Sequence, residues 1–95
     1  MYRLALLGML IAGCAGAPPI ATGADAERTH IALAELTQGR AMLVQKCGGC
    51  HRTPLPSEHT RHDWPGKLDE MAERARLDPA QRRSIEMYLV ALAPR

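Results

Sequence analysis

The stretch KCGGCHR, residues 46–52, puts two thiols three positions apart and an imidazole directly after the second. Side chains that can bind metal or form covalent links, crowded this closely, leave few solutions, and the rest of the chain must supply what each solution requires. The 95 residues, 46% hydrophobic and 23% charged, suit one small globular domain rather than a disordered segment. There is no Phe, one Trp (Trp64) and two Tyr (Tyr2, Tyr88), so the bulky rings that usually fill a small core are nearly missing. Domains this short lean on disulfides, a metal or a cofactor for stability. Residues 47–51 are where such a group would be held.

The amino-terminal stretch shortens the folding part of the chain. MYR is a basic start, and LALLGMLIAG is an apolar run well short of the roughly 20 residues a spanning helix needs. It reads as an export signal. Ile11-Ala12-Gly13-Cys14 resembles the lipobox of bacterial lipoproteins, which implies a signal peptide over residues 1–13 and an acylated Cys14 as membrane anchor. The other reading is cleavage at a small-residue site such as Ala24-Asp25-Ala26, with Cys14 discarded. Both routes lead to the periplasm, where disulfides are permitted. With Cys14 lipidated, only Cys47 and Cys50 remain. The formal charge of +2 falls by one with the loss of Arg3, so no strong field points to nucleic acid as a partner.

Residues 14–26 are rich in Ala, Gly and Pro without periodicity and read as a flexible tether. A coil of that length reaches about 20 Å. The folded domain is expected over 27–95. From about Glu27, Ala32, Leu36, Gly39 and Leu43 recur at helical spacing and run into Cys47. Pro54 and Pro56 forbid a regular helix, so TPLPSEHTRH reads as a loop before Asp63, a good N-cap. Next, Trp64, Leu68, Met71 and Ala75 share a face, with Lys67, Glu70, Glu73 and Arg74 toward water. Asp78-Pro79 opens a further helix with an Ile85, Tyr88, Leu89, Leu92 stripe. No segment predicts a strand, so the expected class is all-α.

Three chemistries compete for CGGCH. A thioredoxin-like redox site needs its CxxC at the start of a helix in a sheet-containing fold, whereas this one follows a helix. A structural zinc site needs four ligands, and beside Cys47 and Cys50 only His51, His59 and His62 lie nearby, poorly spaced. Attachment of a c-type haem explains the order directly: two thiols add across the vinyl groups and the adjacent His51 reaches the iron.

GRAMLVQKCGGCH resembles the first helix and haem-binding segment of small bacterial monohaem c-type cytochromes, with similarity running over roughly residues 39–92. The resemblance implies an all-α fold of three to four helices packed around one covalently attached haem c. It also implies that Gly39 lets the first helix cross closely over a carboxy-terminal helix at Tyr88, since only Gly allows backbones that near. Two departures stand out. Leu43 occupies a position often aromatic in the family, and the usual Gly-Pro after the haem His is absent, with Pro54 and Pro56 closer in. The family uses a proline carbonyl to orient the axial His, so which carbonyl serves here is left open.

Met71 is the expected ligand opposite His51. WPGKLDEMAERARL resembles the W-x3-V/L-x2-M segment of some of these cytochromes, although a Met on an apolar helical face also serves as plain core. Met42 and Met87 read as structural. His59 and His62 are the rivals, and either would give bis-His ligation at a lower potential.

The expected function is periplasmic electron transfer through one haem bound by Cys47, Cys50, His51 and Met71, with no catalysis of the chain's own. The alternative is a small-ligand binder or sensor with an open distal position, and a haem-free lipoprotein with a Cys47–Cys50 disulfide is a third reading. The expected partners are redox proteins. A periplasmic molybdenum dehydrogenase is implied by the faint W-x3-L-x2-M resemblance, and a respiratory complex fits equally. Lys46, Arg52, Arg61 and Lys67 suggest an acidic docking surface on that partner, diluted by Glu58, Asp63 and Asp69.

Overall fold

A computed structural model describes residues 16–48 and 52–95. The signal segment, Cys14, Cys50 and His51 lie outside the described residues. The fold is all-α: α1 (Gly23–Thr29), α2 (Leu33–Cys47), α3 (Trp64–Ala75) and α4 (Pro79–Leu92), with a 3₁₀ turn at Pro56–Glu58 before α3.

The long helix expected from Glu27 to Cys47 is two helices. Thr22 and Asp25 form a capping box that starts α1 at Gly23, inside the stretch expected to be a tether. Four residues after Asp25, the Thr29 hydroxyl donates to the Asp25 carbonyl at 2.7 Å and accepts the Ile31 N–H at 3.3 Å, drawing the backbone out of the helical ladder. His30 then takes the left-handed conformation (φ 60°) and ends α1. The break turns α1 back along α2 and α4, and Ile31 packs on a small cluster of Ala21, Leu36 and Ala91.

The tether expectation is corrected in a second respect. Pro18 and Ala21 are buried, the Pro18 carbonyl accepts from Arg40 Nε at 2.9 Å, and the Pro19 carbonyl accepts from the Tyr88 hydroxyl. Two long polar side chains of α2 and α4 thus bind the backbone of a segment that has no periodic pattern of its own.

The α2–α4 crossing is the centre of the fold. A Cβ at Gly39 would lie 2.3 Å from the Ser84 carbonyl oxygen and 2.8 Å from Tyr88 Cβ, so the two backbones meet where only a hydrogen fits. Leu43, Trp64, Leu68, Ile85, Tyr88, Leu89 and Ala93 form one buried cluster around this contact. Of the expected stripes, Trp64, Leu68 and Met71 of α3 and Ile85, Tyr88, Leu89 and Leu92 of α4 face it, Met71 and Leu92 only partly buried, whereas Ala75 lines a cleft instead. Ala32 is exposed, and the inward residues of α2 are Leu36, Gly39 and Leu43.

The caps behave differently at α3 and α4. Asp78 accepts from Gln81 N at 2.8 Å while Gln81 Oε1 accepts from Asp78 N, with Pro79 at the first helical position, as the sequence predicts. Asp63 sits at the start of α3 but makes no side-chain cap. The Thr60 carbonyl receives the N–H groups of Asp63 and Trp64 instead, so a preceding turn leads straight into the helix. α3 ends at Arg76 in the left-handed region, with Leu77 N bonded to Ala72 O at 3.0 Å. Arg82 then ties α4 to α3 by donating to Asp69 at 2.7 Å and to the Pro65 carbonyl at 3.0 Å.

Candidate functional site

Cys47 is the last residue of α2, partly buried against the main cluster. Gly48 closes the helix by donating to the Val44 carbonyl at 3.1 Å, and a Cβ there would meet Thr53 Oγ1 at 2.9 Å. Thr53 thus lies against Gly48, and residues 49–51, which hold the rest of the CGGCH motif, lie outside the described residues.

A cleft of about 290 Å³ opens beside this point, lined among the described residues by Lys46, Cys47, Arg52 and Pro54 on one side and by Met71, Arg74 and Ala75 of α3 on the other, with Glu58. Met71 comes to the cleft because α3 is seated by its first two inward residues. Trp64 and Leu68 are fully buried, and Trp64 Nε1 donates to the Pro56 carbonyl at 3.0 Å. One turn further along, Met71 packs on the cluster with one side and faces the cleft with the other.

The histidine rivals lie elsewhere. His59 stacks edge-on against Trp64 with ring centroids 4.8 Å apart, and His62 is exposed in the turn before α3. Neither lines the cleft. Met42 packs on the main cluster and Met87 lines a separate groove on α4. Among the described residues, no three His, Cys, Asp or Glu side chains gather into a metal-binding group. No described helix is long and apolar enough to cross a membrane.

The cleft rim is cationic. Lys46, Arg52 and Arg74 surround it against one carboxylate, Glu58, which is paired with Arg52. Burial opposes the charged form of Glu58, but donation from Arg52 and from the Leu55 N–H at 3.0 Å outweighs it and holds the carboxyl below its ordinary value. The sequence reading missed Arg74, although its position three residues after Met71 on a helix brings it to the same face. Of the other cations considered near the motif, Lys67 is exposed on α3 and Arg61 belongs to the α4 groove.

The lining is half charged and half apolar or sulfur-bearing: Cys47 and Met71 share one cleft, Pro54 and Ala75 supply apolar wall, and three cations stand at the rim. By class the molecule is a small all-α domain with a sulfur-lined cleft between two helices. No family model matches the chain, and no curated protein or solved structure matches it.

Proposed function

We propose that this chain is a periplasmic electron-transfer protein of the small c-type cytochrome kind, carrying one haem c. The observation that carries the reading is that Cys47, which opens the CxxCH motif, and Met71, twenty residues beyond the motif's histidine, line the same cleft while His59 and His62 do not.

Haem c, when bound, supplies a one-electron ferric/ferrous couple. Cys47 and Cys50 would hold it through thioether links, and His51 and Met71 would be the two axial ligands. Met71 is well placed for such a role because its helix is fixed by Trp64 and Leu68, so its sulfur is presented by a rigid element. Pro54 lies on the cleft wall, which makes its carbonyl the candidate to orient His51 through its Nδ1–H. Lys46, Arg52 and Arg74 would pair with the acidic edge of the group and with a docking partner. Held by His51 and Met71 together, the group would serve electron transfer rather than catalysis, and the partners would be other redox proteins of the periplasm, a dehydrogenase or a respiratory complex. A lipid on Cys14 would anchor the domain. Because Pro18 already packs on the body, that anchor would hold the domain close to the membrane rather than on a long lead.

The test is the visible spectrum of the protein made with export and haem-attachment machinery, recorded oxidised, reduced, and reduced under carbon monoxide. Low-spin spectra, colour that survives acid-acetone extraction, a weak long-wavelength sulfur-to-iron band and no response to carbon monoxide are expected. A high-spin spectrum that shifts with carbon monoxide would move the reading to a ligand binder and return Met71 to the core. A colourless product would leave a disulfide-bearing domain.

A further inference from the structure

A second, larger concavity of about 840 Å³ runs along α4 and shares no residue with the sulfur-lined cleft. Five arginines line it, Arg28, Arg61, Arg82, Arg83 and Arg95, against a single side-chain carboxylate, Glu86. Two of the five are spoken for: Arg28 binds Asp25 at 2.7 Å and Arg82 binds Asp69 and Glu86. Arg61, Arg83 and Arg95 are exposed and make no ion pair with any described residue. Between them the groove floor is apolar, built from Ile31, Met87, Val90 and Ala91.

Like charges collected along an apolar trough repel one another unless something neutralises them, and guanidinium groups suit carboxylates by geometry as well as charge. We propose that this groove is a docking site for an acidic segment of a partner protein, one that alternates carboxylates with apolar side chains. The carboxylates would meet Arg61, Arg83 and Arg95, and the apolar side chains would cover Met87 and Val90. The groove's volume of about 840 Å³ exceeds what one small anion would fill, and its concavity suits a peptide better than a flat lipid surface. The amino-terminal residues 1–15 of this chain are a poor occupant, because they contain no Asp or Glu. The proposal is independent of haem, since it uses none of the residues of the other cleft.

The probe is a labelled peptide of repeating Glu-Leu-Glu units, titrated at low salt into the full chain, with a Gln-Leu-Gln peptide of equal length as comparison. Binding is expected for the acidic peptide only. It should weaken at least about ten-fold in the double variant Arg61→Glu/Arg83→Glu and stay within about two-fold in the matched double variant Lys67→Glu/Arg76→Glu, whose side chains lie outside the groove. Both pairs are exposed, and far-UV circular dichroism checks that the helices persist. Absence of binding, or equal weakening in both variants, overturns the proposal. So does a result in which only phosphatidylglycerol vesicles bind, or only self-association is lost in the groove variant, since either assigns the arginines to another occupant.

Discussion

The middle of α2 and its carboxy-terminal end meet the rest of the molecule in opposite ways. Around Gly39 the helix lies against the Ser84 carbonyl and Tyr88 of α4 with no room for a methyl group, and a buried apolar cluster surrounds the contact. Two turns later, at Cys47, the same helix borders an open cleft whose far wall is α3, with polar and charged groups at the rim. The crossing has one solution and tolerates no change in volume, as close-packed interiors do. The cleft leaves space beside the sulfurs of Cys47 and Met71. Tight packing at the middle of α2 and an open cleft at its end thus lie along one helix.

That contrast is broken most severely at the crossing's aromatic support. Trp64→Ala removes a fully buried side chain and its hydrogen bond to Pro56, and should cost roughly 4 kcal/mol in a denaturant titration. Gly39→Ala drives a methyl into the Ser84 carbonyl and Tyr88, and about 3 kcal/mol of destabilisation is expected from the same measurement. If Gly39→Ala unfolds at the wild-type midpoint, the helices do not meet as described. Met71→Ala, in the cleft wall, should cost about 1 to 2 kcal/mol, because Met71 is only partly buried. A cost equal to that of Trp64→Ala would erase the distinction between crossing and cleft. In haem-loaded protein the same substitution should open the iron to carbon monoxide.

Titration sharpens the comparison at its smaller end. Burial pushes the Tyr88 hydroxyl up to about 12 from its ordinary 10.0, the nearby Arg40 acting in the opposite direction. The folded protein therefore keeps a proton that the unfolded chain releases, so Tyr88's contribution is full below pH 10 and is lost as the pH rises toward 12. Unfolding curves measured across that window should show a decline that Tyr88→Phe flattens. Glu58 has the opposite sign. Its carboxyl is held below the ordinary value of 4.5, so its contribution is present above that pH and fades as the pH falls through its lowered value. Arg52→Ala should cost under about 1 kcal/mol at neutral pH, as exposed ion pairs do, and should remove most of that acid dependence.

The elements with periodic signals were legible residue by residue. The inward faces of α3 and α4 follow from Trp64, Leu68, Ile85, Tyr88 and Leu89, and Asp78-Pro79 marks the start of α4. The Gly39–Tyr88 contact was expected from a family resemblance and is where the backbones meet. The split between α1 and α2 was not legible, because it depends on how Thr29 spends one hydroxyl and on His30 adopting a conformation that few non-glycine residues take. Asp63 shows the converse failure, a good cap residue made redundant by the turn before it. At the candidate site, Cys47 and Met71 were named in advance, whereas Arg74 and the arginine groove were not.

By itself the sequence determined what local physics can decide: helix rather than strand, the faces that must be buried, the termini with strong caps, and the crowding of two thiols and an imidazole into five residues. Those follow from spacing and side-chain type within a few turns of chain. Only the tertiary structure decided which distant groups converge: that Met71 rather than His59 or His62 shares a cleft with Cys47, that Arg40 and Tyr88 bind the backbone at Pro18 and Pro19, and that arginines from four parts of the chain line one groove. The physical reason is that convergence is set by how whole helices pack, α2 on α4 where Gly39 meets Ser84 and Tyr88, and α3 where Trp64 is buried and bonded to Pro56. Contacts between residues so far apart leave no periodic trace in the chain.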